Sequence, residues 1–219
     1  GSTMSSPSSH QLHPASVVTS AGAPLRLYGK RIIVRPLVAT DFEAWSEVRH
    51  RNGEWLSKWE PIKSAYLPDP STNREAFNNR CIARDRERQS GGSYAFGIFI
   101  EGSFAGEVNI NNVVRSAMQC GTIGYWIDEA RAGSAFMSEA VLVVSKYAFE
   151  DLGLHRMEIC IIPRNYNSRR VMEKLGIREE GLAERFLEIN GVWEDHVRYG
   201  FTIEEWQQRR DQLSAEWLQ

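Results

Sequence analysis

Apolar and polar positions change rhythm several times along this chain, and each rhythm predicts an element. Arg31–Leu37 (RIIVRPL) is apolar and β-branched and predicts a first strand. Thr40 or Asp41 can cap a following helix that carries Phe42, Trp45 and Val48. Glu54–Pro61 (EWLSKWEP) breaks the period and predicts an aromatic loop. Ser71–Arg88 predicts a polar helix with a narrow apolar stripe of Ala76, Phe77, Ile82 and Ala83. Tyr94–Ile100 and Phe104–Val114 predict strands joined by a turn at Glu101–Ser103, and Gly121–Ile127 extends the meander.

The second half alternates between the two periods. Glu139–Asp151 predicts a helix that Gly153 can end. Arg156–Ile162 alternates, with Met157, Ile159 and Ile161 on one face, and predicts a strand. Ser168–Leu175 predicts a short helix closed by Gly176. Leu182–Ile189 and Trp193–Phe201 flank Asn190–Gly191, a strong hairpin signal. Ile203, Trp206, Arg210, Leu213 and Trp217 recur at spacings of 3, 4, 3 and 4. That C-terminal stripe suits packing on the domain or, as the alternative, a dimer seam.

One strand–helix–strand unit therefore interrupts otherwise antiparallel pairing. The expected fold class is α/β, with a mixed, mostly antiparallel sheet flanked by helices. The central crossover is expected to be right-handed. Residues 1–23 read as a cloning remnant and a flexible Ser- and Pro-biased tail, and residues 24–219 as a single domain.

Composition narrows the function. The chain has 219 residues, enough to bury a sizeable core. A net charge of -2 implies no general polyanion-binding surface, so direct nucleic-acid binding is not expected. Local basic patches remain open, as at Arg164, Arg169 and Arg170. Cys81, Cys120 and Cys160 are odd in number and lack metal or redox spacing, which suits a reducing, cytoplasmic setting. The five histidines form no ligand pair, so no metal is expected. No apolar run reaches the roughly 18 residues of a membrane span, and the first residues do not form a signal peptide.

The chemistry concentrates in ARAGSAFMSEA, Ala130–Ala140, between a predicted strand and a predicted helix. The first N–H groups of a helix have no internal partner, and the helix dipole adds positive potential there. Such a place binds phosphate. Gly133 and Ala135 allow close approach of the backbone, and Arg131 can add a charge-assisted contact. A tight turn with a Ser cap is the plainer alternative. The turn lacks the Gly-Lys-Ser/Thr ending of a Walker loop and is no dinucleotide fingerprint, so a pyrophosphate-bearing cofactor of another kind fits better.

A second motif, Pro163–Ile177 (PRNYNSRRVMEKLGI), follows. Together the two resemble the GNAT family of N-acetyltransferases, in its RimJ- and RimL-like, ribosomal-protein-alanine branch. The turn is matched by Gly133-Ser134-Ala135-Phe136-Met137-Ser138-Glu139-Ala140. The second motif is matched by Asn165, Ser168, Val171, Glu173, Lys174, Gly176 and Ile177. IGYWI (Ile123–Ile127), EWLSKWEP and INGVWEDHVRYG (Ile189–Gly200) resemble the strand before the turn, the substrate-side loop and the terminal hairpin. Ala132 and Ala135 depart from the pattern, the second standing where the family usually has Gly.

The resemblance implies acetyl transfer from acetyl-CoA to a primary amine, without a metal. Arg131, Ala132, Gly133, Ser134, Ala135, Phe136 and Met137 would hold the pyrophosphate, while Ile127, Asp128 and Asn165 would meet the pantetheine arm. Direct attack needs an amine without its proton, a donor for the oxyanion and an acid for the thiolate. Glu107 is the candidate base, acting through water, and simple exposure is the plainer alternative for a Glu in a strand. Met172 stands where relatives outside the branch carry a Tyr acid, so Ser168 is expected to hydrogen-bond the sulfur, or only to cap its helix.

Trp55, Trp59 and Tyr66 either pack a lid or wall a groove for the acceptor, and Tyr125 joins Trp55, Trp59 and Glu107 as a substrate-side residue. The preferred acceptor is a protein N-terminus, of ribosomal-protein type. A small amine is the second reading, and a weakly active acyl-CoA-binding module the third. Either a monomer or a homodimer is compatible with the sequence.

Overall fold

The computed structural model describes residues 25–219, so the tail expected over residues 1–23 lies outside the described residues. Eight strands form one sheet in the order β1-β2-β3-β4-β5-β6-β8-β7. They are β1 (Leu27–Tyr28), β2 (Ile32–Arg35), β3 (Tyr94–Ile100), β4 (Ser103–Val114), β5 (Cys120–Ile127), β6 (Arg156–Ile161), β7 (Arg178–Ile189) and β8 (Val192–Thr202). Every neighbouring pair is antiparallel except β5 and β6. Between those two runs the crossover helix α4 (Phe136–Lys146). The mixed α/β class expected from the sequence is the observed one.

Among the described residues, helices cover both faces of the sheet. On one face α4, α5 (Tyr166–Leu175) and α6 (Ile203–Trp217) enclose the larger core, which includes Phe96, Leu142, Met157 and Trp206. On the other, α1 (Phe42–Arg51) and α3 (Arg74–Ser90) cover a smaller cluster of Leu37, Trp45, Val48, Phe77, Cys81, Phe99 and Phe104. The short α2 (Gly53–Ser57) follows α1. Met137 to Ser145 are all buried, because α4 lies between the sheet and its helical neighbours and has no wet side. Trp206 and Leu213 are buried in the same core, so the C-terminal stripe packs on the domain.

Several expectations shift. Half of the predicted aromatic loop folds as α2, anchored by the buried Leu56. The polar helix begins at Arg74, where the Asn73 side chain caps it, and ends at Gly91. Its buried face is Phe77, Cys81 and Arg88, while Ile82 is exposed. Five residues beyond Phe77, Ile82 lies roughly 140° around the helix and faces away from the sheet. Helix α4 starts three residues earlier than predicted, directly from the turn. Its continuation, Tyr147–Asp151, widens into a looser turn before Gly153 reverses the chain at φ +67. The Asn190–Gly191 turn has both φ values positive, as a type I′ hairpin requires.

The parallel pair creates the feature that matters. β5 and β6 are in register only from Cys120–Arg156 to Thr122–Glu158. Beyond Thr122 the strands part, and Ile123–Ile127 continues without a partner on that side. A notch opens through the middle of the sheet. Gly106 holds β4 close beside it, since a Cβ there would stand 2.3 Å from the Trp126 carbonyl oxygen.

Candidate active site

A cleft runs through this notch from the α4–α5 face to the α2 side and encloses about 1090 Å³ of non-protein space, solvent at its mouth included. Tyr125, Trp126 and Ile127 line its middle. The turn contributes Arg131, Ala132, Gly133, Ala135, Phe136 and Met137, and α5 contributes Asn165 and Ser168. Trp55, Trp59 and Glu60 close the other end. Most of the residues predicted from the sequence therefore meet in one place. Ser134, Asp128 and Glu107 do not line it.

The turn is held from afar. Gly133 and Ala135 both have positive φ, 88 and 63. The Glu139 carboxylate, 1% exposed, accepts from the Arg31 backbone N at 2.6 Å, Arg31 Nε at 2.8 Å and the Ile32 backbone N at 3.2 Å. Arg31 Nη1 also donates to the Ser134 carbonyl at 2.8 Å, and its guanidinium lies 4.1 Å from the Phe136 ring centroid. Ser134 thus faces Arg31 with its carbonyl and leaves the cleft to its neighbours.

Two observations test whether this end fits a pyrophosphate. The first N–H groups of α4 lack internal partners at the cleft wall. The Ser138 hydroxyl, in that same first turn and lining the cleft, is buried without a hydrogen-bond partner. Arg131, Arg170 and Lys174 add positive charge around them. Donors and charge both suit phosphate oxygens.

Asp128 is a brace for the turn rather than part of its surface. Its carboxylate accepts from Arg51 at 2.8 and 2.9 Å, Asn52 Nδ2 at 3.1 Å and the Ala130 N–H at 3.1 Å. Burial pushes the carboxyl pKa up, but these donors outweigh burial and hold it below the usual carboxylate range. Its own N–H is taken by the Ala105 carbonyl at 2.7 Å. The Ile127 carbonyl accepts from Trp55 Nε1 at 3.2 Å.

Across the notch, two hydroxyls pair. Asn165 caps α5 by accepting from the Ser168 N–H at 3.2 Å. Ser168 Oγ donates to Tyr125 Oη at 2.8 Å, and Tyr125 Oη donates to the Ser168 carbonyl at 3.2 Å. Burial pushes the Tyr125 phenol well above its usual value, against the opposing Ser168 hydrogen bond. The phenol therefore stays protonated throughout the neutral range. Met172 is fully buried in the core and offers no donor to the cleft. The phenol reaches the cleft from β5 instead.

Glu107 is buried behind Trp126. It accepts from Trp126 Nε1 at 2.9 Å, Trp45 Nε1 at 3.2 Å and Arg80, whose guanidinium approaches to 3.0 Å. It faces a separate hollow of about 260 Å³ beside Arg80. Its reach into the cleft is through the Trp126 ring.

Tyr66, grouped with the tryptophans from sequence, is 96% exposed and takes no part. The basic patch disperses too. Arg164 pairs with Glu194, and Arg169 binds the Pro163 carbonyl, Tyr199 Oη and Glu179, leaving Arg170 in the cleft. Sequence reasoning missed Glu60, Arg49 and Arg31. Glu60 accepts both arms of the Arg49 fork at 3.0 and 2.7 Å. The one signal for it was a carboxylate set between Trp59 and Pro61 in an aromatic stretch.

All three cysteines are free, and among the described residues no acidic, histidine or cysteine cluster suits a metal. No helix among them is long and apolar enough to cross a membrane.

Known proteins match over this same region. Residues 31–178 match the family described as acetyltransferase (GNAT) domain. The probable N-acetyltransferase YjcK of Bacillus subtilis is 38% identical over 174 residues, spanning 78% of this chain and 93% of that protein. The [ribosomal protein uS5]-alanine N-acetyltransferase of Escherichia coli is 29% identical over 186 residues, spanning 83% and 93%. Among solved structures, Mycobacterium smegmatis RimJ in complex with CoA-disulfide superposes with a TM-score of 0.78 at 31% identity, covering 87% of this chain and 92% of that one. With its notch, its small-residue turn and this match, the chain belongs to the GNAT family of acetyl-CoA-dependent N-acetyltransferases.

Proposed function

We propose that this enzyme acetylates the N-terminal α-amine of a protein, of the ribosomal-protein-alanine type, with a small first residue such as Ala or Ser. The observation that carries this is the two-ended cleft. Phosphate-binding character lies at the α4–α5 end and an aromatic wall of Trp55 and Trp59 at the other. Bound acetyl-CoA supplies the activated acetyl group. The turn Arg131–Met137 holds the cofactor's phosphates, and Asn165 and the free side of β5 orient its arm toward the notch.

The acceptor amine enters beside Trp55 and Trp59. The ammonium would first give one proton to water at the open mouth; its neutral nitrogen would then bond to the acetyl carbon as the C–S bond breaks, the second amine proton passing to water or to the departing thiolate. The Ser168 and Tyr125 hydroxyls, whose protons now go to Tyr125 Oη and the Ser168 carbonyl, would turn one of them to the departing sulfur. Glu107 acts on the acceptor side as a positioning residue, by fixing Trp126. The charge beside that mouth favours a singly charged amine. Lys58 Nζ stands 5.7 Å from the Trp55 ring centroid and 5.5 Å from that of Trp59. The further charges of a polyamine or aminoglycoside would meet this cation. The relatives named for ribosomal-protein alanine acetylation support the same acceptor.

The test is the ratio of kcat/KM for an Ala-starting peptide to that for spermidine or an aminoglycoside. A ratio above unity is expected. A small amine preferred by more than about tenfold, equivalent to ~1.4 kcal/mol, would remove the peptide reading and leave the family chemistry intact.

A further inference from the structure

We infer that Glu60 is the counter-ion that receives the protonated amine of the acceptor before transfer. The inference rests on the acetyl-transfer reading above but not on the acceptor being a protein. Glu60 is the only carboxylate lining the cleft among the described residues. The cations Arg131, Arg170 and Lys174 belong to the turn and α5, where the cofactor's phosphates would lie. The lining carboxylate therefore stands at the acceptor end beside Trp59, apart from those three cations.

The carboxylate is also held in place from two sides. The Glu60 carbonyl accepts from the Asn190 N–H at 2.9 Å, which pins this stretch to the tip of the β7–β8 hairpin. The Arg49 fork binds both carboxylate oxygens, and that guanidinium stands 5.0 Å from the Trp126 ring centroid. A carboxylate offers about four lone-pair directions, of which a bidentate guanidinium takes two. The others remain for a second donor. The Glu60 side chain is 29% exposed, so water reaches it yet screens it less than on an open surface. An ammonium has three N–H donors and one compact charge, which matches what is left on Glu60. Asp128 accepts from three residues, Glu107 is held by Trp45, Trp126 and Arg80, and both lie off the cleft wall.

The probe is an Ala-starting pentapeptide, compared with the same peptide carrying a hydroxyl in place of its α-amine, both titrated into the CoA-loaded protein by calorimetry. Wild type should bind the amine at least about tenfold more tightly. Equal binding of the two would overturn the inference without any variant. Glu60→Gln should lose most of that preference while keeping its CoA affinity; retention of the full preference would also overturn it. The same variant, assayed for KM with whichever amine the wild type turns over best, separates the two readings. If spermidine proves the better substrate, the peptide reading falls, and Glu60 stands or falls on whether Glu60→Gln raises the spermidine KM.

Discussion

The two ends of the cleft are built in opposite ways. The cofactor end is largely one continuous piece of chain, β5 followed by the turn and the first residues of α4, with one helix cap from α5. Its central donors are the backbone N–H groups that open α4, joined by the Ser138 hydroxyl and the cations Arg131, Arg170 and Lys174, so much of its chemistry follows from local conformation. The acceptor end brings together α2, the stretch after it and the hairpin tip, joined by contacts such as Asn190 to Glu60 and Arg49 to Glu60. Its chemistry is in side chains, and each is oriented by another. A backbone site tolerates changes of side chain, and a side-chain site can be retuned without rebuilding the fold. That division suits a family with one cofactor and different acceptors.

The strongest way to break this contrast is Arg31→Ala. Arg31 and Glu139 are 108 positions apart, so the supposedly local end has one distant support. Without the guanidinium, a carboxylate 1% exposed keeps only backbone N–H partners. Leaving a buried charge short of its partner should cost ~3 kcal/mol, or roughly 6–12 °C in Tm. The Ser134 carbonyl loses its clamp in the same stroke. Thermal unfolding with and without CoA gives both answers. A lower Tm with an unchanged CoA-induced shift would keep the cofactor end local; loss of both would show that it depends on β2. A wild-type Tm would contradict the account of Glu139.

Tyr125→Phe tests the boundary between the ends. The hydroxyl pair lies where sulfur would leave, so turnover should fall about tenfold, ~1.4 kcal/mol, with CoA affinity little changed. Its pH dependence has a definite sign. Burial raises the phenol pKa, so the donor is retained well above neutrality, and wild-type kcat should show no alkaline decline from this group up to about pH 10, the usual Tyr value. A wild-type rate in Tyr125→Phe would leave Ser168 as the sole hydroxyl at the sulfur.

What was legible in the sequence follows the same division. The strand alternation of Arg156–Ile161 is a short-range pattern and stands where it was expected; the helices on either side begin two or three residues early, α5 at Tyr166 with Asn165 rather than Ser168 as its cap, and α4 at Phe136 inside the expected turn. The notch was not legible, because it depends on where β5 and β6 stop pairing, a property of two strands with a helix between them. Glu107 was visible as an unusual strand residue. Its partners Trp45, Arg80 and Trp126 come from three elements, and only the fold shows that they occupy its oxygens. Glu60 went unnoticed because nothing nearby in the sequence marks Arg49 as its partner. The short α2 has the same origin: Leu56 gains its burial from tertiary packing, which overrides the irregular local pattern.

The smallest expected effect sharpens the comparison at its most local point. Ala135 adopts φ 63, a left-handed conformation that crowds its Cβ against the backbone and costs roughly 1–2 kcal/mol in an L-residue. Glycine escapes that cost but has more freedom to lose on folding, by roughly 0.5–1 kcal/mol. Ala135→Gly should therefore stabilise the protein by only ~0.5 kcal/mol, about 1–2 °C in Tm. Gly133→Ala supplies the opposite sign. Gly133 is at φ 88, and no atom lies within 4 Å of where its Cβ would stand, so the substitution adds conformational cost without a clash. Differential scanning calorimetry of the pair, each with and without CoA, separates backbone strain from cofactor binding. Opposite shifts in Tm would show that the turn's backbone conformation, rather than any side chain on it, is what the sequence supplies there. Shifts of the same sign would mean that the Ala135 methyl makes a contact of its own with the bound cofactor or the cleft wall.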